Sequence, residues 1–117
     1  MAILAARAMD ARKGSKITVL KLEDMTVLTD YFVVATGNSR VQTQALADAA
    51  EETLKAKGVL IQRIEGFQEG RWILMDFGAV IIHIFQEDER SFYNLERLWA
   101  DAPALDYNEV FPNGTAD

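Results

Sequence analysis

Arg71-Trp72-Ile73-Leu74-Met75-Asp76-Phe77-Gly78-Ala79-Val80-Ile81-Ile82-His83-Ile84-Phe85 is the stretch that decides the fold. It reads as two strands, rich in β-branched and aromatic residues, joined by a tight turn. Gly78 at the first central position suits a two-residue type II′ turn, which needs a positive φ there. With Gly78-Ala79 as the loop, the register follows. Phe77 faces Val80, Asp76 faces Ile81, Met75 faces Ile82, Leu74 faces His83, Ile73 faces Ile84 and Trp72 faces Phe85. The pleat sorts these side chains onto two faces. Ile73, Met75, Phe77, Val80, Ile82 and Ile84 form a wholly apolar face. Trp72, Leu74, Asp76, Ile81, His83 and Phe85 form the other, which adds a carboxylate and the chain's single histidine. Helices would cover the aliphatic face, so the mixed one reads as a binding surface.

The flanks supply the rest of one domain. Ala2 to Lys13 is rich in helix formers, and Ile17 to Leu22 reads as a strand. A polar link, Glu23 to Asp30, leads to Tyr31-Phe32-Val33-Val34-Ala35-Thr36. That continuous apolar run suggests a strand buried on both faces, hence a central one. Gly37-Asn38-Ser39 opens a helix, with Asn38 or Ser39 as its N-cap. Val41, Ala45, Leu46, Ala49, Ala50, Thr53 and Leu54 make its apolar stripe. Val59 to Ile64 is expected to be a strand near an edge, followed by a loop from Glu65 to Gly70. After the hairpin, Phe92, Leu95 and Trp99 share one face of a final helix, with Tyr93 and Glu96 off that line. The expected fold is thus α+β, a single domain over 1–101. One five-stranded mixed sheet is flanked by helices in the order α-β-β-α-β-β-β-α. Residues 102–117, with Pro103, Pro112 and Asn113-Gly114, read as a tail that is poorly ordered unless it docks.

Composition narrows the function. The 117 residues include no cysteine, so thiolate metal sites, disulfides and a cysteine nucleophile are excluded. A single histidine argues against a metal centre. The net charge of −6 disfavours direct nucleic-acid binding and suits a basic partner. No apolar run is long enough to span a membrane and no signal-peptide pattern opens the chain, so a cytoplasmic protein is expected. Enzyme readings are poor. Gly37-Asn38-Ser39 is a weak echo of a nucleotidyltransferase motif, but the paired metal-binding carboxylates do not follow: Leu74 and Gly78 stand two residues either side of Asp76. Ser39, His83 and Asp76 can be named as a triad, yet Asp76 and His83 are not opposed in the register. No P-loop or dinucleotide fingerprint is present. The reading carries no catalytic residue, cofactor or metal.

Several blocks resemble a known family. They are Asp30-Tyr31-Phe32-Val33-Val34-Ala35-Thr36-Gly37-Asn38-Ser39, Leu46-Ala47-Asp48, Glu65-Gly66 and the hairpin from Trp72 to Phe85. Arg90, Phe92-Tyr93, Leu95-Glu96 and Leu98-Trp99 complete the set. In this order they resemble the Iojap family, the ribosomal silencing factors also called RsfS, over roughly Ile3 to Asp101. The resemblance implies a fold similar to nucleotidyltransferases without a catalytic role. It implies binding to the large ribosomal subunit through ribosomal protein L-fourteen, which blocks subunit joining and represses translation. It also implies a homodimer off the ribosome; organelle relatives act in large-subunit assembly. A degenerate nucleotidyltransferase-fold enzyme and a large-subunit assembly factor are the alternatives. The docking residues expected are Trp72, Leu74, Asp76, Ile81, His83 and Phe85, with Tyr93 and Glu96 on the final helix. Two departures from the family pattern stand out. Ala79 follows the hairpin glycine where an aspartate is common. Val41 stands where many members carry an arginine, two residues after the serine.

Overall fold

The computed structural model describes residues 1–23, 25–88, 103–105 and 110. In chain order the elements are α1 (Ala2–Ala11), β1 (Ser15–Lys21), β2 (Tyr31–Gly37), α2 (Arg40–Ala56), β3 (Arg63–Glu65), β4 (Trp72–Asp76) and β5 (Val80–Gln86). The final helix expected around Phe92 to Trp99, with Tyr93 and Glu96, lies outside the described residues. The five strands form one sheet in the order β1-β2-β5-β4-β3. Only β2 and β5 run parallel; the other neighbours are antiparallel.

The hairpin register is the one derived from the turn. Trp72 pairs with Phe85, Ile73 with Ile84, Leu74 with His83, Met75 with Ile82 and Asp76 with Ile81. Gly78 has φ +86, and Ala79 is not among the residues of positive φ. A single positive φ, at the first central position, separates a type II′ turn from type I′, which needs two. The Phe77 N–H donates across the loop to the Val80 carbonyl at 2.9 Å. The aspartate-to-alanine departure at Ala79 leaves this frame intact, because Ala79 contributes through its backbone. Its carbonyl accepts from the N–H groups of Asp30 and Tyr31, at 2.9 and 3.1 Å, and so pins the turn to the start of β2.

Both described helices pack on one face of the sheet. Met9 of α1, with Leu46 and Leu54 of α2, is fully buried against Val33, Ile73, Met75, Ile82 and Ile84. The aliphatic hairpin face is therefore the covered one, as its composition demands. Burying each such aliphatic side chain is worth about 1.5–3 kcal/mol. Ser39 is the N-cap of α2: its hydroxyl accepts from the Gln42 N–H at 3.1 Å. The Gln42 side chain reaches back to the Asn38 N–H at 2.7 Å, a variant of the reciprocal box in which serine is followed three residues later by glutamine. Two details of the helix differ from expectation. Val41 is 74% exposed, while Thr43 is buried in its stead, and its hydroxyl donates to the Gly70 carbonyl at 2.7 Å. The buried line runs Thr43, Leu46, Ala47, Ala49, Ala50 and Leu54, and Val41 in the first turn lies off it.

The third strand is shorter than expected, Arg63–Glu65 in place of Val59 to Ile64. Both ends of that segment are spoken for. Gly58 and Val59 cap α2, donating to the carbonyls of Lys55 and Leu54 at 2.9 Å each, the paired bonds of a Schellman motif. Further on, β4 offers a partner only as far as Asp76, before the chain turns. As expected, β3 lies at an edge. The run Tyr31 to Thr36 lies inside the sheet with both faces buried from Val33 onward, although β5 takes the middle position. In the C-terminal stretch, Ala104 forms a bridge with Leu20, and Val110 joins the core.

Candidate docking surface

The opposite face of the sheet is built by alternation. In β2, Phe32, Val34 and Thr36 pair with Ile81, His83 and Phe85, so all six side chains share this face. Trp72, Leu74 and Asp76 join them from β4, and Leu20 from β1. The expected set is thus brought together on one surface, apart from Tyr93 and Glu96, which lie outside the described residues. Burial divides it. Trp72, Leu74, Asp76 and Ile81 are half-buried, whereas His83 and Phe85 are 4% and 1% exposed. The first four can touch a partner directly; His83 and Phe85 underlie them.

The entry to Trp72 is held by backbone carbonyls. The Gly70 carbonyl accepts from Thr43 of α2 and, at 3.1 Å, from the Gln86 side chain of β5. The Arg71 carbonyl accepts from the Gln86 N–H at 2.9 Å. A helix start and the far end of the partner strand therefore fix where β4 begins.

The rings form a connected chain across three strands. The Trp72 and Phe85 rings are stacked, 5.1 Å apart and 27° from parallel. His83 meets Phe32 edge-on at 4.7 Å. The Trp72 indole N–H donates to His83 Nδ1 at 3.0 Å. An indole nitrogen can only donate, so Nδ1 must be the accepting, unprotonated nitrogen and the neutral ring carries its proton on Nε2. Among the described residues, that buried Nε2 has no hydrogen-bond partner. Burial lowers the His83 pKa from 6.5 to about 4, so the ring is neutral near pH 7.

This sets a pH dependence. The unfolded chain protonates His83 around its ordinary pKa, while the fold resists until about pH 4. The contribution to stability is complete above pH 6.5 and is lost as pH falls through about 4. The loss amounts to about 3 kcal/mol. Denaturant midpoints of the wild type and His83→Leu across that window are the check. The wild type should lose more stability than the variant by roughly this amount.

Asp76 has a structural task as well. Its Oδ1 accepts from the Gly78 N–H at 2.8 Å and braces the turn. The carboxylate sits beside Arg63, its cross-strand neighbour on β3, whose own Nε is 3.1 Å from Glu65. Partner charge and turn bracing can thus be served by one side chain. The three residues of the nominal triad are engaged elsewhere. Ser39 caps α2, His83 holds Trp72, and Asp76 holds the turn.

Two features of the surface lie outside the residues singled out from sequence. Phe32 belongs to it, through its ring contact with His83. The alternation Phe32, Val34, Thr36 carries that signal once β5 is known to be the parallel neighbour. The link between β1 and β2, read as polar, also displays apolar side chains. Val27 is 102% exposed, and Leu28 and Met25 are exposed beside it. Asp30, at the end of this link, bonds the hairpin turn, so the link stands at the turn end of the sheet.

Comparison with known proteins bears on this geometry. A family model described as "Ribosomal silencing factor during starvation" matches residues 1–116. The ribosomal silencing factor RsfS of Bacillus subtilis is 43% identical over 103 residues, which span 88% of this chain and 87% of that protein. The RsfS of Halalkalibacterium halodurans is 38% identical over 107 residues, 92% of each chain. A crystal structure of a Chromobacterium violaceum protein is also similar, with a TM-score of 0.81 and 38% identity over 83% of this chain and 81% of that one.

Proposed function

We propose, from the premise that the chain belongs to the family of ribosomal silencing factors, that it docks on the large ribosomal subunit through ribosomal protein L-fourteen and keeps the small subunit from joining. The work is steric and needs no bond-making chemistry. The observation that carries the reading is a half-buried tryptophan on a sheet face whose reverse holds both described helices. Trp72, Leu74 and Ile81 supply apolar contact area around it, and Asp76 supplies an acceptor for a basic side chain. Tryptophan is enriched at the energetic centres of interfaces, and surrounding apolar side chains exclude water from them. The chain's net charge of −6 favours approach to a basic protein. Tyr93 and Glu96 belong to the same proposed contact set, and the proposed compartment is the cytoplasm. Off the ribosome, the same apolar face is the proposed seam of a homodimer, which would compete with docking.

Sedimentation through a sucrose gradient tests the reading. The protein should travel with purified large subunits and lower the yield of joined ribosomes when small subunits are added. Protein that stays at the top of the gradient, with joining unaffected, would overturn it.

A further inference from the structure

The Trp72–His83 pair raises a question of stability. A buried ring whose Nε2–H finds no partner among the described residues is a poor choice for packing alone, because the donor has left water without a hydrogen bond from them in return. An apolar residue of similar volume would avoid that cost. What the histidine does provide is Nδ1, an acceptor aimed at the indole N–H of Trp72. The imidazole is itself held. Phe32 meets it edge-on at 4.7 Å, and Phe85 lies nearly parallel, 8° away in plane at 6.2 Å. Phe85 also stacks on Trp72, so the indole is restrained on one face by a ring and at its nitrogen by a hydrogen bond.

We infer that His83 is a positioning residue that locks the Trp72 indole in its docking orientation, acting through Trp72 without touching the partner. The inference rests on the docking role proposed above and assigns the energetic task within it. A side chain already fixed in its bound rotamer loses less freedom on association. Trp72 also presents its ring to the partner with its polar N–H already engaged, so recognition at this spot is apolar. A partner group that offered only a hydrogen-bond acceptor to the indole would have to displace His83.

Two variants separate positioning from plain structural support. His83→Leu removes the acceptor and the unpartnered donor together while keeping apolar volume. His83→Asn keeps an oxygen acceptor at the same bond distance from Cβ as Nδ1. Three readouts are taken on the full chain: thermal midpoint, exchange protection of the Trp72 indole proton by NMR, and a co-sedimentation titration with large subunits. His83→Leu should hold or raise the midpoint, lose indole protection and bind roughly 3- to 10-fold more weakly. His83→Asn should retain indole protection and near wild-type binding even if its midpoint falls. Stability and docking thus move apart, which loss of a merely structural residue would not produce. Wild type that binds alongside an equally tight His83→Leu variant overturns the inference alone. Binding that falls in both variants in step with the midpoint overturns it too. Wild type with a protected indole proton and no large-subunit binding overturns the docking role, and this inference with it.

Discussion

Trp72→Ala is expected to weaken binding to the large subunit by roughly 30- to 700-fold, the equivalent of about 2–4 kcal/mol, while the domain stays folded. The two halves of that statement have different physical grounds. The binding loss follows from removing the largest half-buried side chain of the surface, together with the ring that Phe85 stacks on. Persistence of the fold follows from the other face of the same strand. Ile73 and Met75 are fully buried beneath the helices, and Trp72→Ala leaves them in place. The substitution also frees His83 Nδ1, which costs some stability without opening the core. Co-sedimentation titration and circular dichroism, run on the same preparation, measure both halves. Unchanged affinity with an unchanged spectrum would take Trp72 off the docking surface.

Gly66→Ala is expected to cost about 4 kcal/mol of folding stability, combining a left-handed backbone strain of about 1–3 kcal/mol with steric overlap of similar size. Gly66 has φ +77, and a Cβ placed on it would stand 2.1 Å from the Trp72 carbonyl oxygen. The obstacle is backbone at the first residue of β4, which a rotamer change cannot move. The loop or the strand must shift, and the strand carries Trp72. Gly58→Ala provides the reference. Gly58 has φ +82, yet its added Cβ meets nothing within 4 Å, so that variant reports the strain alone. Chemical denaturation of the two variants should separate them by about 2 kcal/mol or more. Equal losses would show that the loop over Trp72 gives way freely.

The hairpin was legible because two local rules agree on it. A glycine at one turn position selects the loop, and the pleat then assigns every side chain to a face. Nothing distant is required, and the five pairs from Trp72–Phe85 to Asp76–Ile81 follow. The third strand was misjudged for a reason equally local but of another kind. Val59 has a β-former's side chain, while its N–H is claimed by the cap of α2. Propensity has no access to that claim. The depth of His83 and Phe85 is a third case. It depends on β2 lying parallel beside β5, which sets Phe32 against His83. A contact between strands so far apart in the chain leaves no mark in the spacing of either. The hairpin's share of this sheet face was therefore readable, whereas the share of β2 and the division into half-buried and buried residues were not.

Folding kinetics follow from the parallel seam between β2 and β5. The hairpins β1–β2 and β4–β5 close locally, but the seam joins Tyr31 to Val80 and Gly37 to Gln86 across the intervening helix and edge strand. Long loops close late, because their entropy is spent before distant contacts repay it. The ring chain of the proposed docking face straddles this seam, with Phe32 on one side and His83 on the other. A nascent chain therefore lacks the complete sheet face proposed for docking until Gln86 has been synthesised and the two hairpins have met. The surface proposed to dock is thus completed late in the birth of the molecule.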